Sequence, residues 1–173
     1  MSIVLPEREI TLEDVAWMAS ADGTHRYEFA NGVLSIMPPA DSEHASIVTR
    51  LIVWLAQHGH DPDLVKADAG LRAGGRVGRT PDLMVLHANP PRTVWIDPGY
   101  VALVVEVISD GSEDIDRKVK PAEYARAGIA NFWRIERGAQ IGDSPVSRFV
   151  LDASLGGYRL VGTGSLADLL SSP

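Results

Sequence analysis

The chain contains no cysteine. Disulfide cross-links, thiolate metal sites and a cysteine nucleophile are therefore excluded, and the expected location is a reducing, cytoplasmic one. Aromatic residues are sparse at 6 %. The four tryptophans, Trp17, Trp54, Trp95 and Trp133, are scattered at positions that suggest core or interface, not an evenly spaced stacking platform for single strands. Positive charge is also short: 16 Lys and Arg against 23 Asp and Glu leave a formal charge of −7. That argues against generic nucleic-acid binding, which needs clustered basic side chains to meet phosphates. No apolar run approaches the roughly 20 residues needed to span a bilayer. The opening Met1-Ser2-Ile3-Val4-Leu5-Pro6 lacks the basic start and apolar core of a signal peptide, so no membrane partner is expected.

Several catalytic signatures are missing as well. There is no G-x-S-x-G elbow, and Gly74-Gly75-x-x-Gly78 lacks the Lys-Ser/Thr of a phosphate-binding loop. His25, His58, His60 and His87 show no zinc-ligand spacing. What remains is ordinary for a soluble protein: 45 % apolar and 23 % charged residues over 173 positions. That length suits one domain over residues 1–173, burying roughly two-thirds of its extended surface.

Periodicity and punctuation predict a mixed α/β fold. Thr11-Leu12-Glu13-Asp14 resembles a capping box opening a helix to about Ser20. Arg26–Ala30 and Val33–Met37 flank Asn31-Gly32, a type I′ hairpin signal. A helix follows from about Ser42 to His58, ended by Gly59, with Val48, Leu51, Ile52 and Leu55 on its buried face. Residues 63–86 read as two or three strands, and Val101–Ile108 as a central one. Ser112 could cap a helix from about Glu113 to Ala127, before Gly128. Further strands are expected at Asn131–Ile135, Ser147–Leu151 and Tyr158–Val161, and a short helix from Ser165. The order of elements suggests one mixed sheet with helices packed on it.

Two carboxylates disturb this pattern. Asp82 follows Pro81, which cannot donate to a ladder and so sets Asp82 at the start of a strand. Glu106 lies inside the apolar run and shares a strand face with Val104 and Ile108. A buried carboxylate is costly unless paired, hydrogen-bonded or metal-bound. Lys120 lies four residues from both Asp116 and Tyr124, one helical stripe, which an exposed ion pair would also explain. Glu28, in the hairpin, is either an exposed strand residue or a further acidic member. His44 either faces a site at its helix N-terminus or caps the core edge, the latter slightly preferred. Lys66, Arg72, Arg76 and Arg79, and later Arg117, Lys118 and Lys120, form either a local basic rim or ordinary solvated loop charges.

The order of these motifs is similar to a known family. Arg26-Tyr27-Glu28-Phe29-x-x-Gly32-x-Leu34, His44-x-x-Ile47, Pro81-Asp82-Leu83 and Val104-Val105-Glu106-Val107-x-Ser109 resemble the Uma-type family of restriction endonucleases. Ser112, Asp116, Lys120, Tyr124-Ala125-x-Ala127-Gly128 and Phe132-Trp133 continue the likeness, over about residues 9–162. The resemblance places the chain in the PD-(D/E)XK nuclease superfamily. It implies a restriction-endonuclease-like central mixed β-sheet flanked by helices, with an N-terminal hairpin. It also implies catalytic Glu28, Asp82, Glu106 and Lys120, and a Mg²⁺ or Mn²⁺ ion held by Asp82, Glu106 and the carbonyl of Val107. Two departures stand out: Ile108 occupies the position where the superfamily expects Lys, so Lys120 would replace it from the next helix, and Asp110-Gly111 stands where the family tends to carry Pro-Ser. DNA is the implied partner and a homodimer fits, since nucleases of this fold often cut two strands as pairs. The alternatives are a catalytically silent module that binds nucleic acid or a protein, and a structural or toxin-like partner protein.

Overall fold

The computed structural model describes residues 8–22, 24–108 and 114–172; among them run eleven strands and four α-helices. The expected capping box forms: Thr11 N–H donates to Asp14 Oδ2 at 2.8 Å and Asp14 N–H to Thr11 Oγ1 at 3.3 Å. It starts α1 (Leu12–Asp22). The hairpin of β1 (Arg26–Ala30) and β2 (Val33–Met37) runs in register from Arg26↔Met37 to Ala30↔Val33. Its turn residues Asn31 and Gly32 have φ of 52° and 93°, the positive pair a type I′ turn demands. Asp41 caps α2 (Ser42–Gln57) by accepting from the N–H groups of Glu43 and His44. The helix gives way at Gly59, φ 84°. Its buried face is His44, Ile47, Leu51 and Leu55; Val48 and Ile52 are half-buried at its flank.

The region 63–86 holds four strands: β3 (Val65–Ala67), β4 (Gly70–Gly74), β5 (Val77–Arg79) and β6 (Leu83–Leu86). Then come β7 (Trp95–Ile96), β8 (Val101–Val107), β9 (Asn131–Ile135), β10 (Pro145–Asp152) and β11 (Gly157–Ser165), with α3 (Lys120–Arg126) and α4 (Leu166–Ser171). The strands divide between two mixed sheets, where the sequence suggested one. The central sheet has the order β11-β10-β9-β8-β6-β3, and the second β2-β1-β5-β4-β7. β8 and β9 are parallel within the first, β4 and β7 within the second. The split falls at Thr80-Pro81-Asp82, between β5 and β6: Pro81 has no N–H for a ladder, and the chain leaves one sheet to enter the other.

Alternation along β8 sorts the core. Leu103, Val105 and Val107 pack with Ile47, Leu51 and Leu55 of α2 and with Leu166 and Leu169 of α4. Val104 faces the opposite side, with Tyr124, Ile129 and Phe132. Glu106 follows Val104 on that second side by the period of two. A third cluster, including Leu12, Val15, Met18, Phe29 and Trp95, fixes α1 to the smaller sheet. The expected cap Ser112 and helix start Glu113 lie outside the described residues. Before α3 the backbone makes a wide turn over Ile115–Val119, and Lys120 N–H bonds back to Ile115 O, five residues earlier. Pro121 accounts for this widening, because it cannot donate to the carbonyl four residues before it.

Candidate active site

The two sheets meet where β5 passes into β6, and the polar residues of the sequence argument gather there. Register sets Leu83 opposite Val105 across the β6–β8 pair, so Asp82, one residue earlier, lies level with Glu106. The Asp82 carboxylate bridges elements: Oδ1 accepts from Arg26 Nη1 at 2.9 Å and lies 3.0 Å from His44 Nε2. Oδ2 accepts from the Val107 N–H at 2.7 Å. His44 thus faces the site; the cap at Asp41 fixes the first turn of α2 and aims it there.

Glu106, 2 % exposed, meets two groups from the helix opposite. The Lys120 ammonium lies 3.2 Å from Oε1, and the Tyr124 hydroxyl donates a short hydrogen bond to the same carboxylate. Lys120 also reaches Glu28 Oε1 at 3.2 Å and Asp116 Oδ1 at 2.9 Å. The wide turn and α3 therefore place Asp116, Lys120 and Tyr124 on one inward stripe. The pair that spacing would equally allow on the surface is buried. Glu28 has a second partner, Arg79 Nη1 at 2.9 Å, and accepts from Thr80 N–H at 3.2 Å. Arg79 forks onto Glu123 through Nε and Nη2, at 2.7 and 3.0 Å.

Electrostatics separates the two principal carboxylates. Burial pushes Glu106 up to about 8; Lys120 opposes the rise, and Asp82, Asp116 and Glu28 add to it. Asp82 is buried too, but His44, the Val107 N–H and Lys120 outweigh burial and hold it below its ordinary value. Burial alone would lower Lys120; Glu106, Glu28 and Asp116 outweigh it and keep the ammonium charged above its ordinary range. Buried Glu28, Asp82, Glu106, Asp116 and Glu123 share the region with buried Arg79 and Lys120 and the partly exposed Arg26. His44, also buried, stands against Asp82 in the same region.

A cleft of about 40 Å³ opens among Arg26, His44, Asp82, Glu106, Asp116 and Lys120, room for an ion and little more than a water. Among the described residues no three His, Asp or Glu side chains converge as a ready-made metal cage. Mg²⁺ commonly binds through one or two carboxylates and keeps several waters. The hard oxygens of Asp82 and Glu106 fit such an ion by donor chemistry.

All four expected catalytic positions, Glu28, Asp82, Glu106 and Lys120, come together, with Val107 beside them. Lys66, Arg72, Arg76 and Lys118 stay outside the cluster. Sequence reasoning missed the site roles of Arg26 and Glu123, and named Arg79 only as a rim or solvated loop charge, whereas it is buried against Glu28 and Glu123. Strand alternation could have found Arg26, two residues from Glu28 on the same face. Arg79 and Glu123 are 44 residues apart, and no spacing rule joins them.

A mixed central sheet with paired carboxylates on adjoining strands and a lysine against one of them defines a restriction-endonuclease-like fold. The chain belongs to the Uma2 family, described as "Putative restriction endonuclease", whose profile matches residues 12–173. Among solved structures it is similar to a protein of Anabaena variabilis ATCC 29413, described as "a putative nuclease belonging to DUF820". The likeness has a TM-score of 0.62 at 12 % identity and covers 84 % of this chain and 89 % of that one. No protein with curated annotation matches.

Proposed function

We propose that this protein is a divalent-metal-dependent endonuclease that hydrolyses DNA phosphodiester bonds, acting as one nuclease domain. The observation that carries the reading is the level placement of Asp82 and Glu106 on adjoining strands, with Lys120 held against Glu106. In this reading Asp82, Glu106 and the carbonyl of Val107 hold Mg²⁺ or Mn²⁺. When bound, that ion supplies an activated water and neutralises charge on the phosphoryl group. Lys120, kept charged by its three carboxylates, orients the attacking water or balances negative charge as the water oxygen bonds to phosphorus and the ester oxygen leaves. Glu28 holds Lys120 from one side, and Arg79 in turn holds Glu28. His44 and Arg26 fix Asp82. A homodimer would cut both strands, and sedimentation of the protein with and without DNA measures that.

One observation favours a second reading, a catalytically silent module of the same fold. Both oxygens of Asp82 and the carboxylate of Glu106 already have partners within the chain, so the cluster can neutralise much of itself. Nicking of supercoiled plasmid in Mg²⁺ or Mn²⁺ separates the readings. The nuclease cleaves as wild type and loses at least about a hundredfold of its rate in Glu106→Gln, as expected for removing a metal ligand. Equal cleavage by both proteins contradicts the assignment of Glu106.

A further inference from the structure

A second cavity, of about 280 Å³, lies on the face of the central sheet that carries Glu106. Across the β8–β9 pair, Val104 is level with Phe132 and Glu106 with Arg134. Across β9–β10, Phe132 is level with Phe149. These side chains therefore continue one face outward from Glu106, by strand steps of about 4.8 Å each. Phe132 forms the buried base of the cavity. The half-buried rings of Phe149 and Tyr158 stand over it, with centroids 5.6 and 5.5 Å from that of Phe132. The Tyr158 hydroxyl donates to Ile129 O at 2.8 Å, which holds its ring in place. Gly156 and Gly157 line the cavity and bring no side chain to fill it.

Two arginines, Arg117 and Arg134, stand at the rim in a chain whose formal charge is −7. Arg117 Nη2 lies 2.6 Å from Glu136 Oε2, and Arg134 Nε 3.0 Å from Oε1. Both guanidinium groups thus flank the Glu136 carboxylate beside the rings. The Arg134 guanidinium also stands 5.6 Å from the Phe149 centroid. Aromatic faces with adjacent arginine are the chemistry that stacks a nucleobase and meets its phosphate.

We propose that this cavity binds a nucleotide of the substrate strand, its base against Phe149 and Tyr158 and its phosphate against Arg117 and Arg134. The proposal rests on the nuclease reading above, and it names where the strand is gripped beside the reacting centre. It also accounts for nucleic-acid recognition by an acidic chain, since the grip is one local stack and not a basic surface.

The test uses 2′-deoxyadenosine 5′-monophosphate, which has no internucleotide bond, titrated without divalent metal and followed by amide NMR. The expected shifts centre on Gly156 and Gly157. Phe149→Leu and the partly exposed Arg117→Ala each weaken binding by about tenfold, as does omitting the base with 2-deoxyribose 5-phosphate. Shifts centred elsewhere, no shift at about 10 mM nucleotide, the scale of a very weak site, or unchanged affinity in Arg117→Ala overturns the proposal. Nucleotide binding in a protein that never nicks plasmid keeps the cavity and removes the nuclease reading. Plasmid nicking without nucleotide binding does the reverse.

Discussion

Glu106 and Asp82 are displaced in opposite directions, and each sign has a consequence for stability. A carboxyl raised from 4.5 to about 8 in the fold binds more protons folded than unfolded between those values. Its contribution is fully present below about pH 4.5 and is lost as pH rises through about 8. In metal-free protein this one group gives a slope of up to about 1.4 kcal/mol of lost stability per pH unit in that window. Glu106→Gln should remove the slope, so the variant gains on wild type from pH 5 to pH 8 in urea denaturation; parallel pH profiles would contradict the assignment. Asp82, lowered in the fold, works the other way: its stabilisation is present above its unfolded value and lost as pH falls through the folded one. Arg79 tests the buried network in a different manner. Arg79→Met leaves Glu28 and Glu123 without their shared cation, and should cost about 3–5 kcal/mol, as breaking a buried pair does. A loss below about 1 kcal/mol, the scale of an exposed pair, would mean the network relaxes into solvent.

At the scale of elements, the site depends on where strands stop and how one helix starts. Gly78, in β5, lies under the Trp95 ring and against Leu12; a Cβ there would fall 2.9 Å from Trp95 Cζ3 and 2.7 Å from Leu12 Cδ2. Trp95 itself is pinned, its Nε1–H donating to Leu12 O at 2.8 Å. Gly78→Ala should therefore push α1 from the smaller sheet and cost about 1–3 kcal/mol by overpacking. Unchanged thermal stability would show that α1 shifts freely. Much of this level was legible in the chain. Asn31-Gly32, Thr11 with Asp14, Gly59 and Gly128 are local signals, and the elements they bound are present. Of the tryptophans expected in a core or interface, Trp95 is buried, whereas Trp17 is 59 % exposed on α1 and lies outside the core. The split into two sheets was not legible, since strand partners are chosen by long-range register and not by the alternation within each strand.

For the molecule as a whole, the site was half readable. Asp82 and Glu106 stood out because a charge in or beside an apolar run contradicts its surroundings; Lys120 did so only through the family resemblance, since its stripe with Asp116 and Tyr124 fits an exposed pair equally. Arg79 and Glu123 did not, because each is ordinary in its own segment and becomes meaningful only when β5 meets α3. Assembled, the cluster sets Asp82 level with Glu106 and Lys120 against Glu106, and the central claim is that a divalent ion binds at these two carboxylates. Uptake of such an ion should stabilise the fold by mass action, about 2.7 kcal/mol at a hundredfold excess over its dissociation constant. The most direct measurement is calorimetric titration of the wild type with Mn²⁺, beside Asp82→Asn and Glu106→Gln. The nuclease account predicts one saturable site in the wild type, weakened at least about tenfold in each variant. No binding by the wild type, or binding that both variants retain at full strength, would contradict it and leave the self-neutralised, silent module.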